Sequence, residues 1–413
     1  MELYVNEERK QRALLVGVDT GDFDAEASMS ELYELCKSAG AEPVANIMQK
    51  REKPNGATCI GTGKLEEIKE FCRNEKVDVL IFDCELTPVQ LRNLEHETDI
   101  RTIDRTMLIL DIFAIRARSN EGKLQVELAQ LQYMKSRLTG KGIEMSRLGG
   151  GIGTRGPGET KLETDRRHIQ RRIETLKAEL NDIASRRQQR RSRRKKDGVV
   201  TTAIVGYTNA GKSTLMNTLT QAGVLSEDKL FATLDPTSRA LKLPNGMSVM
   251  LIDTVGLVRR LPHHLVEAFK STLEEAATAD ILLNVCDASS EEYKLHLEVT
   301  QNLLEQLECT APMITVLNKC DLAENTDDIP RGKGYVQISA KTDMGIEKLL
   351  QAIQDNLPTP IKAFDVVIPY DQAALLARLR TEGTLQSEEY TADGIHINIL
   401  LEQPLWHLLE NKN

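Results

Sequence analysis

Gly206-Tyr207-Thr208-Asn209-Ala210-Gly211-Lys212-Ser213 fits the pattern G-x-x-x-x-G-K-[ST] at every fixed position. An apolar run, Ala203-Ile204-Val205, leads into it, and a helix-like segment opens at Thr214. The chemistry this spacing serves is phosphate binding. Gly206 and Gly211 let the backbone turn so that successive N–H groups converge on anionic oxygens at a helix N-terminus. Lys212 can reach β- and γ-phosphates, and Ser213 offers a hydroxyl to Mg²⁺. An ordinary strand-to-helix turn has no need of all four fixed residues. The stretch is read as a nucleoside triphosphate site.

Three further signals follow in chain order. Asp253-Thr254-Val255-Gly256 ends a strand-like run; its Asp can hold Mg²⁺ and its Gly N–H can sense a γ-phosphate. Asn318-Lys319-Cys320-Asp321 ends another. There the Asp321 carboxylate can accept two N–H donors that guanine has and adenine lacks, while Asn318 and Lys319 brace the ring. Ser339-Ala340-Lys341 can give the guanine carbonyl a backbone contact. Any one of these short strings could arise by chance. Together and in this order, each at a strand end, they specify guanine.

Such groups need a sheet to carry them. Strand-like runs at 249–252, 281–286, 314–317 and 336–338 alternate with helical stretches over 198–360. The pattern predicts a doubly wound P-loop α/β domain with its ligand at the strands' carboxyl ends. Residues 1–118 also alternate, with strands at 13–18, 43–48, 77–82 and 101–103, and predict a small α/β domain of parallel βαβ units. Within it, Cys59-Ile60-Gly61-Thr62-Gly63-Lys64 is glycine-rich but lacks phosphate-loop spacing, and reads as a tight turn opening a helix. Pro358-Thr359-Pro360 marks a linker, and 361–413 predicts a small α+β appendage of the form βαββ.

Between the two α/β domains, 119–197 predicts an antiparallel helical hairpin. One helix carries Leu124, Leu128, Leu131, Met134 and Leu138; the other carries Ile169, Ile173, Leu176, Leu180 and Ile183. The loop 139–159 holds eight glycines with Lys141, Arg147 and Arg155, a composition that is usually functional or disordered; a tip that orders against RNA is the favoured reading and plain flexibility its rival. Its Gly151-Ile152-Gly153-Thr154-Arg155-Gly156 follows a helix instead of a strand, so it is not read as a dinucleotide site. Arg166, Arg167, Arg171 and Arg172 lie on the second helix. They are followed by Arg186, Arg187, Arg190, Arg191, Arg193, Arg194, Lys195 and Lys196, with no acidic residue among them. This segment is expected to bind an RNA phosphate backbone, in a salt-dependent and sequence-blind way. Without interleaved aromatics it lacks the stacking platform for single-strand readout.

Charge agrees with that division. The 413 residues carry a net charge of −9. Between Glu121 and Val200, however, lie 20 Lys+Arg against 10 Asp+Glu, out of 53 and 62 in the whole chain. A polyanion contact confined to one segment is the expectation. The first residues are too charged for a secretory signal, and no apolar run approaches the roughly 18 residues of a membrane span. Seven cysteines without a C-x-x-C pair suggest reduced thiols in a cytoplasm, and no metal site or disulfide framework.

The motifs together resemble the translation-factor-related GTPases, and Phe231-Ala232-Thr233-Leu234-Asp235-Pro236 resembles the first switch of the Obg–HflX group. The N-terminal domain with IGTGK, the basic helical pair, the GGGIGTRGPGETKLE loop and FATLDPT resemble the HflX GTPases along nearly the whole chain. The resemblance implies GTP as substrate and Mg²⁺ held by Ser213, Thr233 and Asp253. It also implies catalytic roles for Lys212, Thr233 and Gly256. It further implies binding to the large (50S) ribosomal subunit and its rRNA, splitting of stalled ribosomes, and a cytoplasmic monomer that can associate peripherally with membrane. Asn209 resembles a phosphate-loop Asn that holds K⁺ in some relatives. Leu257 stands where a water-orienting Gln might, which implies slow intrinsic hydrolysis and a group supplied from elsewhere. An Obg-type ribosome-assembly GTPase and a nucleotide-gated RNA- or protein-binding switch are the competing readings.

Overall fold

The computed structural model describes residues 9–138, 157–196, 199–220, 230–231, 235–260, 273–323, 330, 332, 334–358 and 361–409. Lys141, Arg147, Arg155, Ala232, Thr233 and Leu234 lie outside them, as does 139–156 of the glycine-rich loop. The chain forms two units. The first takes Met1–Gln188 with Glu227–Asp235 and Val258–Ser271; the second takes Gln189–Ser226, Pro236–Leu257 and Thr272–Asn413.

In the first unit β1 (Arg12–Asp19), β2 (Glu42–Lys50), β3 (Val79–Phe82) and β4 (Arg101–Asp104) make a parallel sheet in the order β2-β1-β3-β4. β1 and β3 are central and covered on both faces, which is why they read as unbroken apolar runs. Helices α1 (Ala25–Ser38), α2 (Thr62–Glu75), α3 (Pro88–Thr98) and α4 (Arg105–Arg116) follow the strands in turn. Their starts are capped where the sequence offers an oxygen: Asp24 for α1, a Thr87/Gln90 capping box for α3, and Asp104 for α4.

Helices α5 (Asn120–Leu138) and α6 (Pro157–Lys196) run antiparallel. Glu121 pairs with Arg187 at 2.7 Å, Glu127 accepts two N–H groups of Arg172 at 2.7 and 2.8 Å, and Lys135 donates to Gln170 at 2.5 Å. The basic run is part of α6, whose 40 residues extend on the order of 60 Å. The buried residues of α5 are Leu124, Val126, Ala129 and Tyr133, and those of α6 include Ile173 and Leu176. Met134, expected in the stripe, is 47% exposed. Tyr133 turns inward because its hydroxyl donates to Asp104 Oδ1 at 2.5 Å, the carboxylate that caps α4.

The second unit is built on β5 (Thr201–Gly206), β6 (Thr237–Lys242), β7 (Ser248–Asp253), β8 (Ile281–Asp287), β9 (Met313–Asn318) and β10 (Tyr335–Gln337), ordered β10-β9-β8-β5-β7-β6. All neighbours are parallel except β6 with β7. Helices α7 (Lys212–Thr220), α8 (Tyr293–Gln306) and α9 (Ile346–Asp355) accompany it. β5 lies between β7 and β8, so strand order reverses there, and a ligand is expected beyond its carboxyl end. The last segment holds β11 (Ile361–Ile368), α10 (Ala373–Glu382), β12 (Thr384–Thr391) and β13 (Gly394–Glu402), an antiparallel sheet ordered β11-β13-β12. Among the described residues no helix is long and apolar enough to cross a membrane.

One buried polar cluster stands out in the first unit. The Arg105 guanidinium lies between Asp83, 2.6 Å away, and Glu31, and its side chain is 3% exposed. Arg105→Ala leaves two buried carboxylates without their central cation. It should lower unfolding free energy by about 3–5 kcal/mol, read as a reduced urea midpoint.

Candidate functional site

β5 delivers the chain to the phosphate loop through Gly206, whose φ is +145°. A β-carbon there would collide with the Val285 carbonyl, and one at Gly211 (φ +90°) would collide with the Asn318 amide. Only glycine fits both places. Asn209, at φ +60°, takes the remaining left-handed turn, which Asn tolerates better than most residues. The loop then enters α7 with Lys212, Ser213 and Thr214 in its first turn. Tyr207, beside the loop, stacks on His296 at 4.0 Å between ring centroids.

Lys212 is buried and donates to the carbonyls of Gly206 at 3.1 Å and Tyr207 at 2.7 Å. Burial pulls its pKa from 10.5 down to about 8, with the Asp253 charge opposing. Ser213 Oγ donates to Asp253 Oδ2 at 3.0 Å. Hydroxyl and carboxylate thus converge as a pair of hard oxygen donors, which suits Mg²⁺. Gly256 lies against Thr208 and the Lys212 ammonium. Thr254 Oγ1 donates to the Ile204 carbonyl at 2.6 Å and holds the DTVG turn to β5. Val255 is buried beside it in sequence.

Leu257 has a role its side chain did not announce. Its N–H donates to Gly206 O at 3.1 Å, and its carbonyl accepts from the Thr208 N–H at 2.7 Å. Two backbone bonds therefore stitch the end of DTVGL to the phosphate loop, with the leucine side chain buried. No periodicity or motif could have revealed this, because the bonds use backbone alone.

At the other end, Asn318 Nδ2 donates to the Ala210 carbonyl at 2.8 Å and its Oδ1 accepts from the Ala340 N–H at 3.0 Å. One side chain ties the phosphate loop to Ser339-Ala340-Lys341. Thr218 of α7 adds a bond to the Ala340 carbonyl at 2.7 Å. Ser339 is fully buried and accepts the Thr342 N–H, while Lys341 is exposed. Lys319 pairs with Asp287 at 2.7 Å, a partner at the end of β8 that sequence reading did not single out. Cys320 donates its thiol to Leu317 O, and the Asp321 side chain is exposed.

Phe231 and Asp235 belong to the first unit. Phe231 meets Phe113 edge-on with ring centroids 4.7 Å apart, and the Leu230 N–H donates to Ser38 Oγ at 3.1 Å. Asp235 accepts the N–H groups of Arg118 at 2.9 Å and Ser119 at 2.7 Å, just ahead of α5, and the Ser119 hydroxyl as well. Thr233, between these anchors in sequence, is outside the described residues. Val258–Arg260 is also in the first unit: Arg260 pairs with Asp83 at 3.4 Å, and Arg259 stands 4.0 Å from Glu31.

The arginines of α6 divide in two. Arg172 and Arg187 are engaged by Glu127 and Glu121, Arg191 by Glu275 at 2.8 Å, and Arg194 by Met250 Sδ. Arg166, Arg167, Arg171, Arg186, Arg190 and Arg193 are exposed.

Comparison with known proteins agrees with this arrangement. Three family profiles match in succession: a GTP-binding GTPase N-terminal region over residues 26–114, a GTP-binding GTPase middle region over 116–194, and a 50S ribosome-binding GTPase over 201–319. The GTPase HflX of Lacrimispora saccharolytica is 49% identical across 98% of this chain and 97% of its own length. That of Escherichia coli K12 is 40% identical across 96% and 94%. Among solved structures, the SsGBP–GDP complex superposes with a TM-score of 0.50 at 26% identity, covering 84% of this chain and 98% of SsGBP.

Phosphate oxygens placed at Lys212 would reverse the effect of burial and return its pKa towards the ordinary range. At a pH between about 8 and 10.5, triphosphate binding should therefore take up a proton, and affinity should fall as pH rises through that window. Calorimetry in buffers of different ionisation enthalpy measures the uptake. Lys212→Met should abolish it and weaken binding at every pH.

Proposed function

This chain belongs to the HflX family of GTPases and hydrolyses GTP; on that footing we propose that it does so on the large (50S) ribosomal subunit, splitting stalled ribosomes. The observation that carries the reading is α6. Its exposed Arg166, Arg167, Arg171, Arg186, Arg190 and Arg193 occur along one helix and suit successive phosphates of a structured RNA. The family profile over residues 201–319, described as ribosome-binding, points the same way. Lys141, Arg147 and Arg155 of the glycine-rich loop, outside the described residues, are further candidates for rRNA contact.

In this reading Ser213, Asp253 and Thr233 would hold Mg²⁺, which would supply positive charge for phosphoryl transfer. Lys212 and the Gly256 N–H stabilise the transferring phosphoryl group, and Asp321 selects guanine. Leu257 cannot position water: its side chain is apolar and its backbone groups are already used. Intrinsic turnover is therefore slow, and the ribosome supplies the missing order. Asn209 would be the residue to hold K⁺, which would supply further positive charge.

GTP turnover with and without purified 50S subunits, in K⁺ and then in Na⁺ buffer, tests this. The reading expects stimulation on the order of tenfold or more by subunits and a lower rate in Na⁺. Each of Arg166→Ala, Arg171→Ala and Arg190→Ala should weaken subunit binding and reduce its salt slope by up to about one. Absence of both stimulation and co-sedimentation at moderate salt would discard the ribosomal target; equal rates in the two buffers would discard K⁺.

A further inference from the structure

The glycine-rich turn CIGTGK takes no part in the chemistry above, yet its first residue has an unusual neighbour. Cys59 Sγ stands 3.3 Å from Cys84 Sγ. Cys59 ends a tight turn closed by paired backbone bonds with Asn55, at 2.8 and 2.9 Å, and holds φ at +64°. Cys84 follows β3 directly after Asp83. A disulfide needs sulfurs about 2.05 Å apart, so closing the bond asks for a shift of roughly 1.3 Å. Among the described residues no group of three or more His, Cys, Asp or Glu could hold a metal ion. Redox chemistry is what remains for two thiols in contact.

The two sulfurs are electrically unequal. A hydrogen bond from Cys84 holds the Cys59 thiol below its usual range; burial opposes this, and the Arg51 charge adds to it. Giving that hydrogen bond, together with burial, pushes the Cys84 thiol up. Cys36, Cys72 and Cys286 are raised by burial, and Cys286 gives its hydrogen to the Tyr293 carbonyl. Cys59 is buried and Cys84 half-buried; of the two, Cys59 is the thiol held lower, and its resolving partner is already in contact with it.

We propose that Cys59 and Cys84 form a reversible disulfide when the protein meets hydrogen peroxide, and that the bond is felt at Arg260. The Cys59 thiolate attacks one peroxide oxygen, giving a sulfenic acid and a hydroxide that takes a proton to become water. The Cys84 sulfur then attacks the sulfenic sulfur. The S–S bond forms as the S–O bond breaks, and the released hydroxyl leaves with the Cys84 proton as a second water. Two thiols lose two electrons, and the peroxide gains them. A small dithiol reverses the step by exchange.

The coupling runs through Asp83, next to Cys84 in the chain. Its Oδ1 accepts from Arg105 at 2.6 Å; its Oδ2 accepts from Ser28 Oγ at 2.6 Å and from Arg260 at 3.4 Å. Arg260 also lies over the Phe23 ring, 4.2 Å from its centroid. Drawing Cys84 towards Cys59 shifts the carboxylate that holds Arg260, three residues beyond Leu257.

The test treats the full-length protein with hydrogen peroxide, alkylates it under denaturing conditions and maps its peptides. Two of the seven thiols should resist alkylation, with the Cys59 and Cys84 peptides joined and then freed by dithiothreitol. In Cys84→Ser the sulfenic acid on Cys59 should be captured by dimedone. GTP turnover of the wild type should change on oxidation and return on reduction, while Cys84→Ser should show no such reversible change. Seven alkylated thiols, or a link between other cysteines, would overturn the site. A formed disulfide with unchanged turnover would overturn its connection to Arg260.

Discussion

The approach of backbone to backbone at Gly206 governs the second unit. Its α-carbon lies so close to the Val285 carbonyl that no side chain fits, and its own carbonyl accepts both the Leu257 N–H and the Lys212 ammonium. Two strands and a loop meet through this residue: β5, which ends in it, β8, and the segment after β7. Asn318 then joins Ala210 to Ala340 from the end of β9. The phosphate loop is thus fixed by bonds that exist whatever ligand arrives, and the entropy of arranging it is lost in folding and not in binding.

The same accounting applies to charge. Ten arginines of the hairpin looked alike as a basic run, yet the helix uses them differently. Arg172, Arg187 and Arg191 are held by carboxylates, and Arg194 lies against Met250. A cation already paired gains less from a phosphate, since the old partner must be released. Arg166, Arg171, Arg186, Arg190 and Arg193 are exposed, and contacts of exposed cations with a polyanion release counterions. A basic segment is therefore not one surface. Part of it builds the hairpin and part of it faces outward.

Much of this architecture is legible in the sequence because it rests on local rules. The parallel strands of both units are short apolar runs between turn residues, and the helices start where Asp24, Thr87 or Asp104 can cap them. The phosphate loop is legible for the same reason: its glycines and lysine sit at fixed spacing. What the sequence concealed is set by tertiary partners. β6 escaped notice because Thr237–Lys242 is an edge strand, mostly exposed, with a single buried residue, Leu241, and so no alternation to read. Tyr133 replaces Met134 in the buried stripe because Asp104, from another element, accepts its hydroxyl. Asp287 becomes part of the site only when β8 is laid beside β9.

Leu257 shows why a missing side-chain function need not mean a missing catalytic role. A glutamine there would orient water with its amide, whereas this residue contributes a peptide group that holds Gly206 and Thr208. Two and three residues further on, Arg259 and Arg260 are tied by ion pairs to Glu31 and Asp83. Leu257 and Val258, between these contacts in sequence, are both buried. The leucine side chain at position 257 is buried and can only pack, so ordering of a water there falls to some other group.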